Sequence, residues 1–406
     1  MPQVSPSERP VDLGSRWFFA MAVVFAVGMM GTTLPTPLYP VYQQRLGMDD
    51  FQVAVVFATY AFGVLGALVL TGPWSDQLGR RPMLAGGLLL SGASSLLFLC
   101  GGHLWLLLLG RGLSGVSAGL LTATATVAII ELAPARRKAQ AAVLAAAANM
   151  GGLGLGPLLA GVLSQYLPWP MRLPYLAHLG MLAVAAGLLS GCPETVKPPS
   201  PSLRRLHRQT LRLPADARRA FLPAAVSCFA GFALLGLLTS LEPAIVSKVL
   251  GITSRALIGA LVFLVFAASL CGQILQRRVA AGARLPVSCG MLILGAGLLA
   301  GSMAFNSGGL LVVGAVAAGL GQGGIFAASI LAVTAASPAA ERASVTSLLF
   351  IVVYLAVALP VLGLGLVIGA MGLRAAGVTF TVLVMLISVA ALAVLGLRRR
   401  SASLPA

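Results

Sequence analysis

Apolar stretches dominate this chain, and they break where charges or clusters of proline and glycine fall. Cutting at those breaks gives stretches at 17–38, 51–71, 83–101, 104–130, 141–163 and 173–191. After a polar interval come six more, at 221–241, 255–275, 286–305, 310–335, 343–368 and 375–397. About 20 apolar residues carry a helix across a bilayer once, so the pattern predicts an all-α membrane protein with twelve transmembrane helices. The polar interval divides them evenly: residues 1–192 form an N-terminal six-helix half, 193–220 a cytoplasmic central linker and 221–406 a C-terminal six-helix half. The first stretch is too long for the apolar core of a secretory signal, and no small-x-small cleavage site follows it, so it is read as a span.

Composition sharpens this picture. Of 406 residues, 58% are hydrophobic and only 9% are charged, against about 25% charged in a soluble globular chain. That shortfall excludes a cytosolic enzyme, and the hydrophobicity excludes intrinsic disorder. A net charge of +17 would suggest nucleic acid as the partner of a soluble chain, but here position matters more than total. Sorting the basic residues by loop puts 21 on one side, among them Arg80, Arg81, Arg136, Arg137, Lys138, Arg277, Arg278, Arg284 and Arg342. Five (Arg45, Arg172, Lys248, Arg255 and Arg374) fall on the other. Positive charge marks the cytoplasmic side, so both termini are expected in the cytoplasm, the lipid bilayer is the surrounding partner, and no nucleic acid is expected. The five cysteines lie in or beside apolar runs without metal or disulfide spacing and read as buried free thiols. In the linker, Leu203, Leu206 and Leu213 share a helical face flanked by Arg204, Arg205, Arg208 and Arg212, the pattern of a helix lying on an anionic membrane surface.

The two halves repeat at an offset of about 203 residues. Leu38, Pro40, Arg45 and Gly47 correspond to Leu241, Pro243, Lys248 and Gly251, and the run Gly79, Arg80, Arg81, Pro82 is echoed by Gly282, Arg284 and Pro286. Two six-span units of like orientation imply a pseudo-two-fold axis along the membrane normal, with a substrate site between them near the midplane. That is the architecture of a transporter.

The loop after the second span reads Gly72-Pro-Trp-Ser-Asp76-Gln-Leu-Gly79-Arg80-Arg81. It resembles the signature loop of the major facilitator superfamily, departing from it at Gln77, where a basic residue is usual. The resemblance covers the whole chain and implies the twelve-helix fold and transport by alternating access. It also implies that Gly72, Asp76, Gly79, Arg80 and Arg81, with Glu131 completing a charge cluster, act as a latch that holds the cytoplasmic side shut. A solvated turn obeying the positive-inside rule would read the same way.

Arg111 lies within a span, in a run where Gly112, Gly115 and Gly119 let a neighbouring helix approach closely. An intramembrane arginine is costly unless it faces a cavity or snorkels to the interface. The segment looks like the superfamily's fourth-helix motif, which implies a part in proton transfer. Gly152-Leu-Gly-Leu-Gly156-Pro157-Leu-Leu-Ala-Gly161 is similar to the antiporter motif of the twelve-helix drug:proton antiporters, which implies export, although a generic small-residue packing face has the same appearance. No phosphate loop and no metalloprotease motif occur, so no cofactor, metal or catalytic residue is expected and the chain is not read as an enzyme.

The remaining interior polar groups, Thr32, Thr33, Tyr60, Asn149, Gln273, Gln322 and Tyr354, are cavity candidates that could equally bond a neighbouring helix. No carboxylate falls in the middle of a predicted span. Proton coupling therefore rests on Arg111, His178 or the boundary acid Glu242, and a cavity holding Arg111 should prefer neutral, zwitterionic or anionic compounds. The expectation is a monomeric, proton-coupled exporter of a small organic compound in the bacterial plasma membrane, with a proton-coupled uptake symporter as the alternative.

Overall fold

The computed structural model describes residues 16–71, 74–196 and 211–403. Among these there is no strand. Backbone polar groups in hydrocarbon must be paired within the segment that crosses it, and apolar runs of this length do so as helices. The first half comprises α1 (Arg16–Thr33), α2 (Tyr39–Leu46), α3 (Asp50–Thr71), the short α4 (Trp74–Leu78), α5 (Arg80–Leu99), α6 (Leu104–Leu132), α7 (Lys138–Tyr166) and α8 (Leu173–Gly191). The second comprises α9 (Ala215–Ser240), the short α10 (Glu242–Ala244), α11 (Arg255–Leu275), α12 (Arg284–Phe305), α13 (Gly308–Ala335) and α14 (Arg342–Ser403).

Among the described residues, eleven segments are long and apolar enough to cross a membrane. The expected twelfth lies inside α14, which Gly372 splits into legs at 342–371 and 373–403 with a φ of 81° and ψ of 159°. A single non-helical glycine takes the place of a loop there, so the stretches at 343–368 and 375–397 follow one another without a coil. The result is an all-α bundle of twelve transmembrane helices in two pseudo-symmetric halves.

The repeat is visible in the backbone. Pro37 and Pro40 break the first span into α1 and α2, and Pro243 breaks the seventh into α9, α10 and a π-helical turn at Ile245–Val249. Both broken segments end on a left-handed glycine, Gly47 with φ 64° and Gly251 with φ 69°, which is where a helix ends most cheaply. The surface helix expected around Leu203 and Leu206 lies outside the described residues; Leu211 to Pro214 are not helical. The Arg212 backbone is tied to α14 through Ser344, whose hydroxyl accepts from Arg212 N at 2.6 Å and donates to Arg212 O at 2.9 Å.

Each half has its own buried core, and the two meet along a seam. Val357, Ala358 and Val361 of α14 join the core of the first half, while Leu153, Phe232 and Tyr354 pack against both cores. The helix pairs α7 with α11 and α3 with α14 carry most of the seam.

Candidate functional site

At the face carrying Asp76 and Arg80, hereafter the basic face, a charged cluster is built on the turn between α4 and α5. Gly79 makes that turn with φ 102° and ψ 156°, a conformation that L side chains rarely adopt. It delivers Arg80 into a nearly closed site. The guanidinium binds Asp76 at 2.7 Å and both carboxylate oxygens of Glu131, at 3.0 and 3.2 Å, and donates to Ser75 Oγ at 2.7 Å. Such fork-to-carboxylate pairing fixes direction as well as charge. The Arg80 side chain is 7% exposed, whereas Asp76 is 67% exposed, so Glu131 is the inner partner and Asp76 the hydrated one. Gly72 lies outside the described residues.

A third acid completes the cluster, and the sequence pattern did not single it out. Glu194 accepts from the backbone N–H groups of Arg80 at 2.8 Å and Arg81 at 2.9 Å, capping the N-terminus of α5 from a position 114 residues away in the chain. Its neighbour Thr195 donates to Glu131 at 2.6 Å. Arg81 reaches the carbonyl of Ser190 at 2.8 Å. A Cβ at position 79 would lie 2.8 Å from Glu194 Oε2, so Gly79 serves both the turn and the cap. Every partner of this cluster named here belongs to the first half or to the start of the linker that follows it, and none to the second half.

At the opposite end the halves are joined directly. Lys248 pairs with Asp50 at 2.7 Å, Gln43 donates to the same carboxylate oxygen at 2.7 Å, and Arg255 N donates to Gln165 Oε1 at 3.0 Å. Below these bridges, the glycine run of α7 lies between two helices. On one side, side chains at Gly152 and Gly156 would strike the carbonyls of Ala26 and Met30 in α1. On the other, one at Gly161 would strike the carbonyl of Arg255, while Gly259 of α11 abuts the carbonyl of Pro157. Proline and glycine in α7 thus let one helix touch its own half and the other half at backbone distance.

The interior polar groups fall into distinct environments. Arg111, 1% exposed, donates to the carbonyl of Thr32 and lies 4.7 Å from the ring centre of Tyr60 and 5.6 Å from that of Phe57. Its Nε has no partner. The cation is held by π faces and a carbonyl, without a carboxylate among the contacts of the described residues. His178 is bonded at both ring nitrogens, Nε2 to the carbonyl of Val27 at 3.0 Å and Nδ1 to Ser95 Oγ at 2.8 Å. The carbonyl can only accept, so Nε2 donates, and the ring ties α1, α5 and α8 together. Glu242 follows the end of α9 in α10, which packs against α2 of the first half. It is 1% exposed, neither oxygen has a partner, and burial pushes its carboxyl above the usual range.

Of the cavity candidates, Thr32 bonds its own helix at Met29 O, whereas Thr33 reaches across to Leu153 O, both at 2.7 Å. Gln322 accepts from Ser269 at 2.7 Å. Asn149 Oδ1 and Gln273 Nε2 are buried without partners. Tyr354 ends an aromatic row running through Phe350, Phe326 and Phe232 with ring centres 6.5, 5.9 and 5.5 Å apart. The three phenylalanines carry no sequence signal that separates them from lipid-facing ones such as Phe19 and Phe62, which are 50% and 44% exposed.

Comparison with known proteins follows the same lines. The family profile of the Major Facilitator Superfamily matches residues 21–359. The chain is similar to the quinolone resistance protein NorA of Staphylococcus aureus, at 27% identity over 173 residues, 43% of this chain and 42% of NorA. That match spans less than half the length of the relative. Among solved structures, a peptide transporter POT in complex with alafosfalin aligns with a TM-score of 0.72 at 17% identity, covering 97% of this chain and 96% of that one. A bacterial homologue of the human lysosomal transporter Spinster, inward-facing and occupied, aligns with a TM-score of 0.68 at 16% identity, covering 96% and 98%.

Proposed function

This chain belongs to the Major Facilitator Superfamily and is a multi-pass membrane transporter, and from that premise we propose that it exports a small organic compound in exchange for protons. The proposed setting is the bacterial plasma membrane, with the basic face and both termini in the cytoplasm, in keeping with the positive-inside rule. The halves rock about the seam. In the conformation described, α7 and α11 meet at backbone distance below the Lys248–Asp50 bridge, and the compound is proposed to enter from the basic side once the Arg80 latch opens.

The observation that carries this reading is the α7 glycine and proline run, which joins α1 on one side and α11 of the other half on the other. The likeness to a quinolone resistance protein supports export. Arg111, with its π-face neighbours and unpartnered Nε, favours neutral, zwitterionic or anionic compounds, because a multivalent cation brought beside it would meet uncompensated repulsion. Glu242 is the proposed proton carrier: with α2 and α10 parted, its hydrated carboxyl would take up a proton from the outer side, and after the halves close over it that proton would be given up toward the basic side, opposite to the path of the compound. The Arg80 cluster is the proposed latch of the basic side.

The test is a resistance screen of deletion and overexpressing strains against chemically varied compounds, followed by Gly156→Leu and Glu242→Gln in the same strain. Gly156→Leu drives a side chain into Met30 O and Thr33 Oγ1, the latter 2.8 Å from a Cβ, and should abolish resistance while the protein stays inserted. Glu242→Gln should remove its dependence on external pH. Full resistance from both variants would remove the support for coupled export.

A further inference from the structure

Between α5 and α8, on the surface of the first half and away from the seam, runs a groove of about 830 Å³. Its walls are apolar, with Leu88, Leu89 and Leu96 on α5 facing Leu179, Leu182 and Ala186 on α8, and its end at the basic face carries Arg81, Ser190 and Glu194. Both helices are membrane spans. On α5 the lining runs from Arg81 to Leu96, about 22 Å at a rise of 1.5 Å per residue. Half of a hydrocarbon core is roughly 15 Å. The groove therefore begins at headgroup level and continues past the depth of one leaflet.

The charges at its mouth differ in what they have left to offer. Glu194 is spent on backbone donors, accepting from Arg80, Arg81, Thr195 and Val196. Arg81 gives one N–H to Ser190 O, out of the five that a guanidinium carries in a fork suited to phosphate. We infer that the groove holds an acyl chain of a membrane phospholipid whose phosphodiester sits on Arg81. Arg81 adjoins Arg80 on the turn that grips Asp76 and Glu131, so a headgroup bound there loads the same turn. This inference rests on the membrane spans alone and is independent of the direction of transport.

Native mass spectrometry of the full chain, delipidated in detergent and then offered phosphatidylglycerol, phosphatidylethanolamine or diacylglycerol, tests it. Both phospholipids should be retained roughly tenfold more than diacylglycerol, which has the chains without the phosphate. Arg81→Gln should bring phospholipid retention down to the diacylglycerol level. Ala186→Trp, which fills the groove, should abolish retention of all three, with Ala183→Trp as the second groove-filling variant should the first not fold. Equal retention of diacylglycerol and phospholipid, or retention unchanged in the groove-filling variants, would overturn the assignment. So would one-for-one displacement of the phospholipid by a lipophilic transported compound, which would make the groove a route of substrate entry.

Discussion

The turns that follow the second span of each half occupy equivalent places in the repeat, yet they hold their arginines in opposite ways. In the first half Arg80 is enclosed by Asp76, Glu131 and Ser75, while Glu194 caps the helix behind it. In the second, Arg284 donates to the backbone carbonyl of Val279 at 3.1 Å, and Arg277 and Arg278 are exposed. Gly79 adopts a left-handed φ and Gly282 does not. The repeat keeps the helices that flank the turn but not the charge cluster, which among the described residues is built on the Arg80 turn and not on its counterpart.

Breaking the cluster should therefore cost far more than breaking its counterpart. Arg80→Ala leaves Glu131 and Asp76 facing each other without a cation. The expected loss is about 3 kcal/mol, the low end for severing a buried pair, because both acids keep some water. Unfolding in mixed micelles measures it. Gly79→Ala ranks next, at about 2 kcal/mol, since the new Cβ meets both an unfavourable φ and the Glu194 carboxylate. Glu194→Gln keeps the shape and loses the charge at the helix N-terminus, which should cost about 1 kcal/mol. At the bottom of the scale, Arg284→Ala and Gly282→Ala should each stay within about 0.5 kcal/mol. A loss at Arg284 equal to that at Arg80 would erase the contrast.

What could be read beforehand divides along physical lines. Helix positions followed from apolar runs, because lipid acts locally on the segment that crosses it, whereas the continuation of the first span past Pro37 and Pro40 into α2 was seen only in the backbone. The cluster of Asp76, Arg80 and Glu131 was legible through a compact spacing and a resemblance. Glu194 was not, since it lies in a proline-rich stretch without periodicity and finds α5 only when the half closes. Phe232, Phe326 and Phe350 stayed hidden for a different reason: in a chain whose exterior is as apolar as its seam, hydrophobicity does not tell inside from outside. Gly372 ends a span without a polar loop, and its positive φ was visible only in the backbone.

Transport in everted membrane vesicles tests the account most directly. With the vesicle interior acidified by respiration, a labelled compound identified by the resistance screen should accumulate inside, and a protonophore should release it, with Glu242→Gln abolishing the response to the gradient. Accumulation that ignores the protonophore, or that occurs only in right-side-out vesicles under an inward proton gradient, would contradict proton-coupled export.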